Sequence, residues 1–245
     1  MTPLSEALAE QDRAWRERPL VRALYDDWFG LIERRLSDVD GLSVELGAGV
    51  GRFHERCPWV VATDVERTAW ADAVVDAESL PYADGELSNL VLIDVFHHLE
   101  HPGRFLDEAA RTLRPRGRAV VCDPYCSPIS SFLYRRFHHE PTDLRADPFR
   151  RDGRGSGGPL DSNQALATLA FFRHADELSR RWPELRVVER RRLALLVYPL
   201  SGGFTGRRLV PWRIGLLLRR VEPLLAPLAP LLAFRCLVVL ERERH

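Results

Sequence analysis

Short apolar runs alternate with amphipathic segments along the first half of the chain. Residues 18–36 carry apolar side chains at helical spacing and predict a helix. The predicted strands that follow are 42–46, 59–63, 74–75, 89–95 and 118–122, and the predicted helices between them are 52–56, 66–71 and 103–113. Strands that alternate with helices at this spacing predict an α/β fold with a doubly wound, mostly parallel sheet.

The alternation ends after residue 126. Residues 127–139 predict a helix, and residues 140–163 are rich in proline, glycine and charge, which predicts a lid. A helix over 164–172 and late strands over 185–188 and 234–240 complete the pattern. The chain therefore divides into an N-terminal helical segment (1–40), a core (41–126), and a region of lid, helices and final strands (127–245) that belongs to the same domain.

A strongly apolar segment, 214–240, lies near the end of the chain. Four charged residues and three prolines interrupt it, so no run approaches the roughly 18 apolar residues that span a bilayer. We expect a buried helix pair followed by a core strand. The alternative is a weak contact with a membrane surface through these residues.

Composition narrows the class of partner. The 245 residues carry 35 basic and 35 acidic side chains, so net charge gives no reason to expect a nucleic-acid partner. The four cysteines lack zinc-site spacing and predict buried thiols in a reducing compartment. The N-terminal residues have no signal-peptide pattern, so we expect a cytoplasmic location, with peripheral membrane attachment as the alternative. The sequence does not indicate an oligomeric state.

Three glycines follow the first predicted strand in the stretch 45-ELGAGVG-51. Glycine accepts positive φ and lets a ligand approach the backbone closely. A dinucleotide-binding turn would need a third glycine at position 52, where Arg52 stands. The carboxylate of Glu45 beside the turn favours a cationic ligand group. Asp64, at the end of the second strand, can accept ribose hydroxyls or can cap a helix.

This glycine pattern, with Asp64, 76-DAESLP-81, Asp94 and 113-LRPRG-117, resembles the class I S-adenosylmethionine (SAM) methyltransferases of the methyltransferase type 11 kind. The resemblance implies a Rossmann-like seven-stranded sheet with an antiparallel last strand, and SAM as the cofactor. The cofactor-binding residues that it implies are Glu45, Gly47, Ala48, Gly49, Gly51, Asp64, Val65, Asp76, Ala77, Asp94 and Val95. Asp76 would contact the adenine amino group, with Ala77 offering its backbone.

Three later motifs, 137-FHHEPTD-143, 163-NQALA-167 and 198-YPLSGGF-204, resemble a branch of these enzymes associated with bacterial surface polysaccharides or other secondary biosynthesis. Methyl transfer to a small-molecule or saccharide acceptor, at oxygen, is the function that we expect. A base of near-neutral pKa assists an alcohol acceptor, so His98, His139 and Glu140 are the candidate catalytic residues, with a structural turn as the alternative.

We expect no metal at these histidines, because neighbouring side chains diverge on a helix. Three other functions stay open from the sequence. They are a non-catalytic SAM-binding protein, an NAD-linked oxidoreductase that lacks the third glycine, and a membrane-surface scaffold led by the apolar tail.

Overall fold

One mixed sheet organises the chain. A computed structural model describes residues 3–137, 140–152, 162–204 and 206–244. The strands are β1 (Leu42–Leu46), β2 (Val60–Asp64), β3 (Ala73–Val74), β4 (Leu87–Ile93), β5 (Leu113–Pro124), β6 (Leu185–Leu193) and β7 (Arg235–Arg242). Their order is β3-β2-β1-β4-β5-β7-β6, and β7 alone among these described strands runs antiparallel to its neighbours. The predicted seven-stranded sheet with an antiparallel last strand is confirmed.

Helices cover both faces of the sheet. They are α1 (Pro3–Glu17), α2 (Pro19–Glu33), α3 (Arg52–Arg56), α4 (Pro102–Thr112), α5 (Pro128–Phe137), α6 (Leu166–Thr168), α7 (Ala175–Arg181), α8 (Val197–Ser201), α9 (Trp212–Val221) and α10 (Ala229–Leu232). A π-helical turn (Leu169–Arg173) continues α6, and two 3-10 segments lie at Phe96–His98 and Glu222–Leu228. Apolar side chains from both faces of β4 are buried, as a central parallel strand requires.

The strand register sets the position of the site. Leu46 pairs with Thr63 on one side and with Leu92 on the other, so β1, β2 and β4 end at one edge of the sheet. Ligands of parallel sheets bind at this edge, where the chain order reverses on either side of β1.

Residues 66–71 do not form the helix that the sequence predicted. They make bends and turns, in which the Thr68 hydroxyl accepts hydrogen bonds from the N–H groups of Trp70 and Ala71. A threonine side chain that binds nearby backbone N–H groups competes with helix formation.

Within the N-terminal helical segment, the sequence predicts a helix only over residues 18–36 and does not predict α1. This helix buries Leu8 and Ala14 and packs against α2. Its remaining positions are mostly polar, so its periodicity is weak in the sequence.

The apolar tail is only half buried. Residues 233–240, which include the first six residues of β7, lie in the core as expected. The predicted buried helix pair is wrong, because the helical residues before β7 are almost all accessible. Among the described residues, no helix has both the length and the apolar character to cross a bilayer.

Candidate active site

The glycine turn joins β1 to α3 and has left-handed backbone at three positions. The φ angles are 67° at Gly47, 55° at Gly49 and 68° at Gly51. A Cβ atom on Gly47 would overlap the Val95 side chain, so no larger residue fits there without movement. The turn is held to β2 by the Ala48 N–H, which donates to the Thr63 carbonyl at 2.8 Å. These glycines therefore give the loop both its shape and its bare backbone surface.

Asp64 lies beside this turn, as predicted. Its Oδ2 atom accepts the Gly49 N–H at 3.0 Å, and its Oδ1 atom accepts the Val65 N–H at 2.8 Å. Burial raises the pKa of the Asp64 carboxyl, and these backbone hydrogen bonds oppose the rise. An ionised carboxylate can accept further hydrogen bonds, so Asp64 still has capacity for ligand hydroxyls.

Glu45 places a second carboxyl under the turn. The residue is 3% exposed, and its Oε2 atom has no hydrogen-bond partner among the described residues. Burial, and then the charge of Asp64, raise the pKa of Glu45 to about 8. A buried acceptor without a partner is costly, and a cationic group bound in the cleft would supply one.

A cleft of about 50 Å³ lies between Glu45, the glycine turn and α1. Its lining is Gln11, Trp15, Tyr25, Phe29, Glu45, Gly47, Ala48, Gly49, Val50, Arg52, Phe53, Ile93, Asp94 and Phe204. The volume is well below the roughly 300 Å³ at the lower end of small-ligand pockets. α1 narrows the cleft, since Gln11 and Leu8 lie closest to Gly49 and Asp12 forms an ion pair with Arg52.

The remaining predicted cofactor residues divide into two groups. Asp94 lines the cleft, and Val95 packs against Gly47. Gly51, Asp64, Val65, Asp76 and Ala77 lie outside its lining, although Asp64 bonds to Gly49, which lines it. The Asp76 carboxylate accepts the Glu78 N–H at 2.8 Å. The residues around the turn therefore fit a nucleotide with a cationic end, whereas the adenine contacts of Asp76 and Ala77 stay a prediction.

Asp94 has a backbone φ of 58°, and each oxygen of its carboxylate has a partner. Its Oδ2 atom accepts the Tyr25 hydroxyl at 2.7 Å, and its Oδ1 atom lies 2.5 Å from Nη2 of Arg235. The guanidinium of Arg235 is buried and lies over the Trp28 ring, 4.6 Å from its centroid. Sequence reasoning missed this residue, because Arg235 was read only as an interruption of an apolar run.

A second polar cluster adjoins the cleft at the ends of β4 and β5. His97 Nδ1 lies 3.0 Å from Asp123 Oδ1, and His97 Nε2 lies 3.7 Å from Glu140 Oε2. Burial alone would lower the pKa of His97, but the carboxylates of Asp123, Glu140 and Asp94 raise it above its ordinary value. Sequence reasoning named Glu140 but gave no role to Asp123, which the pairing of β5 with β4 brings close.

The ring of His98 stacks beside that of His97, with centroids 4.1 Å apart. The divergence expected of helical neighbours concerns the run 138-HHE-140, whose two histidines lie outside the described residues. Ligand-type atoms of His97, His98 and Glu140 lie within 4.8 Å of one another, a spacing that can hold a metal ion. The expectation of no metal stays a prediction, and His139 lies outside the described residues.

Two of the later motifs meet at this cluster. Gln164 donates a hydrogen bond from Nε2 to Glu140, and the Asn163 N–H donates to the His97 carbonyl at 2.8 Å. The third motif reaches the cleft, where Phe204 lies 5.0 Å from the Tyr25 ring. The three motifs thus enclose one region of the sheet edge, although they are far apart in the sequence.

Comparison with known proteins identifies the core. Residues 44–121 match the family model described as "Methyltransferase domain", which is less than half of the chain. No curated protein matches significantly. A SAM-dependent methyltransferase of Thermotoga maritima, titled "possible histamine N-methyltransferase", is 15% identical over 100% of both chains with a TM-score of 0.56. Geranyl diphosphate C-methyltransferase of Streptomyces coelicolor is 11% identical over 90% of this chain and 80% of that one, with a TM-score of 0.51.

These matches agree with the fold described above. At such identities the solved structures support the Rossmann-like methyltransferase fold and nothing finer. The matched residues run from β1 to β5 and include the glycine turn, Asp64 and Asp94. The match to a methyltransferase domain over these residues supports SAM as the cofactor, as predicted, and binding of SAM by the glycine turn stays a prediction.

Proposed function

We propose that the protein transfers a methyl group from SAM to an oxygen atom of a small-molecule or saccharide acceptor. The observation that carries the proposal is the pair formed by the left-handed glycine turn and the buried, unpartnered Oε2 of Glu45. A bare backbone beside a buried carboxyl suits a ligand with a flat nucleoside part and a cationic end.

Each element of the cleft has a distinct part in holding the cofactor. The backbone of Gly47–Gly51 would face it, Glu45 would accept its ammonium group, and Asp64 would accept ribose hydroxyls. When bound, SAM supplies a methyl group already activated on a sulfonium. The protein then has to orient the acceptor and exclude water, and α1 and Phe204 lie where they can close the cleft.

The acceptor side is assigned to Glu140 and His98, with His139 as the third predicted member. Asp123 holds the Nδ1 proton of His97, which directs Nε2 towards Glu140. His97 thereby positions Glu140 and stabilises its charge, and Glu140 or His98 would take the proton of an acceptor hydroxyl. The carboxylates around His97 raise its pKa and so favour the protonated ring, which suits a positioning role better than a direct one.

Calorimetric titration of the purified full chain with S-adenosylhomocysteine (SAH) and, separately, with NAD tests the cofactor. We expect SAH to bind and NAD not to bind. Arg52 stands where a dinucleotide turn has glycine, and its side chain is paired with Asp12 and Glu55. Binding of NAD without SAH would overturn the proposal in favour of an oxidoreductase.

Release of SAH from SAM over panels of phenols, sugars and amines tests transfer. Turnover confined to hydroxyl acceptors supports the oxygen assignment, and turnover with amines alone contradicts it. The rival function is a non-catalytic SAM-binding protein, for which SAH binds tightly but no acceptor yields turnover.

The variant Glu140→Gln distinguishes a role in acceptor binding or catalysis from a role in cofactor binding. Loss of turnover with unchanged SAH affinity would support a place for Glu140 on the acceptor side.

A further inference from the structure

The segment before β7 exposes apolar side chains that a core segment would bury. Of residues 211–232, all of which the structure describes, Gly215 alone is buried. The segment is nevertheless rich in leucine, and Leu217 and Leu224 are 61% and 79% exposed. Exposed leucines at this density are unusual on a soluble surface and mark an interaction site.

One side of α9 explains the arrangement. Gly215 faces α2, where a Cβ atom would overlap the Leu20 side chain, so this side of α9 packs tightly. Ile214, Leu217 and Val221 recur at helical spacing and are all exposed. α9 therefore packs against the protein through Gly215, Leu216 and Leu218 and turns a second apolar stripe outwards.

The stripe continues over neighbouring elements. Residues 222–228 follow α9 directly, and α10 packs against α5. The exposed large apolar side chains of this region are Ile129, Phe132, Phe137, Leu209, Trp212, Ile214, Leu217, Val221, Leu224, Leu228 and Leu231. We call this set the apolar face.

Arginines surround the apolar face and acids are scarce in it. Residues 206–232 contain five arginines (Arg207, Arg208, Arg213, Arg219 and Arg220) and a single acid, Glu222. Glu222 is turned inwards, where its carboxylate accepts the N–H groups of Leu195 and Val197. Arg219 pairs with Asp27 of α2 at 3.3 Å, so one of the five charges is partly neutralised. The whole chain is neutral, which makes this local positive charge a feature of one side of the molecule.

We propose that the apolar face binds the surface of a bilayer that contains anionic lipid. Short helices with exposed leucine and aromatic side chains and a rim of arginine lie in the interface plane and do not span it. A second copy of this chain fits less well, because a self-complementary contact through this face would bring arginines against arginines.

A cavity beside the face suits a headgroup. It measures about 390 Å³ and lies between the start of α2 and the loop that leads into α9. Arg18, Arg208 and Trp212 are among its lining residues. The Arg18 guanidinium also holds the loop, donating to the carbonyls of Gly203 and Gly206 at 2.7 and 2.9 Å. The cavity opens beside the exposed side chains of Leu209 and Trp212. If these side chains enter the bilayer interface, the two guanidinium groups lie at the depth of the lipid headgroups.

Vesicle flotation of the full chain tests the proposal, with phosphatidylcholine vesicles and with vesicles that also contain phosphatidylglycerol. We expect binding to the mixed vesicles, weaker binding to phosphatidylcholine alone, and loss of the difference at high salt. The double variant Leu217→Asp/Leu224→Asp should bind at least about tenfold more weakly. Arg213→Gln/Arg220→Gln should reduce binding to the anionic vesicles by roughly fivefold per arginine.

Trp59→Asp is the matched control, because Trp59 is 59% exposed but lies in the turn before β2. It should float like the unaltered chain, and SAH affinity should be the same in all variants, which separates this proposal from that of methyl transfer. Absence of flotation with either lipid overturns the proposal, as does equal flotation of Leu217→Asp/Leu224→Asp and the unaltered chain. A dimer in light scattering that this double variant splits, without vesicle binding, would assign the face to a second copy instead.

Discussion

The Gly49 N–H donates to Oδ2 of Asp64 across 3.0 Å, which ties the turn after β1 to the end of β2. The same carboxylate accepts the Val65 N–H through its other oxygen. The two positions are 15 residues apart in the sequence, and each determines the geometry of the other. Asp64 therefore shapes the turn in addition to the ribose contact that the sequence predicted for it.

Asp64→Ala should lower SAH affinity by about 5- to 150-fold, or roughly 1–3 kcal/mol, the scale of lost charge-assisted hydrogen bonds. Calorimetry measures the affinity, and thermal unfolding measures the accompanying loss of stability. The control is Asp72→Ala, because the Asp72 carboxylate also accepts a backbone N–H, that of Ala62 in β2 at 2.9 Å, whereas the Asp64 carboxylate accepts the Gly49 N–H of the glycine turn. If both variants lose only stability, Asp64 has no ligand to hold.

Gly49→Ala should abolish SAH binding and leave the fold intact. A Cβ atom there would lie 3.2 Å from Gln11 Oε1, the end of a flexible side chain, so the protein can accommodate it. The left-handed backbone should cost about 1 kcal/mol in unfolding free energy. Gly85→Ala is the matched control, since Gly85 has a φ of 65° and no atom closer than 3.9 Å. Equal SAH affinity in the two variants would place the cofactor elsewhere.

The pKa of Glu45, about 8, predicts a pH dependence of cofactor affinity. Below that value the carboxyl of the free protein is neutral, and an ammonium group favours its ionised form. SAH affinity should therefore rise as pH increases towards 8, by up to about tenfold per pH unit, with release of a proton on binding. Titrations in buffers of different ionisation enthalpy count that proton. Glu45→Gln should remove the pH dependence; a variant that keeps it would exclude Glu45 as the ammonium partner.

Stability of the free protein should show the opposite trend. The folded state holds the Glu45 proton up to about pH 8, whereas an unfolded glutamate, with its ordinary pKa of 4.5, releases it near pH 4.5. The folded state thus binds more protons between these values, so the free energy of unfolding falls as pH rises through that window. Chemical denaturation at several pH values measures the free energy of unfolding. In Glu45→Gln, this free energy should fall less as pH rises, because the contribution of the Glu45 carboxyl is absent. An identical slope in the unaltered chain and the variant would contradict the buried neutral carboxyl.

The sheet could be predicted because each of its core strands carries a local signal. β1 and α3 have the predicted bounds, and β4, β5 and β7 were each placed by a continuous apolar run. The glycine turn was also predictable, since a run of glycines between a strand and a helix has few other uses.

The rest depends on contacts that no local pattern records. Arg235 and Asp94 are 141 positions apart and meet only because β7 pairs with β5, next to β4. Asp123 reaches His97 because β5 pairs with β4. The sequence could not distinguish the exposed helices of the apolar face from buried core helices, because both kinds of helix show leucine at helical spacing. The position of α1 was missed because its contacts with the turn run through few apolar side chains.

An ion pair holds α1 over the cleft. We therefore expect the strength of this contact to limit how fast the cofactor enters. Asp12 of α1 pairs with Arg52 of α3, and Trp15 stacks on Phe29 with ring centroids 6.0 Å apart. Both side chains of the ion pair are largely buried, so it contributes to the closed position more than an exposed pair would.

Asp12→Asn should therefore speed SAH association by about two- to tenfold, since loss of a contact of roughly 0.5–1.5 kcal/mol raises the population of the open state by that factor. Stopped-flow tryptophan fluorescence measures the rate, because Trp15 lines the cleft. Glu55→Gln is the control, as Glu55 also pairs with Arg52 but belongs to α3 itself and does not hold α1. If the rate of SAH association is unchanged in both Asp12→Asn and the control, α1 stays in place when the cofactor enters. The roughly 50 Å³ cleft would then have to widen on the side of Asp94 and Phe204.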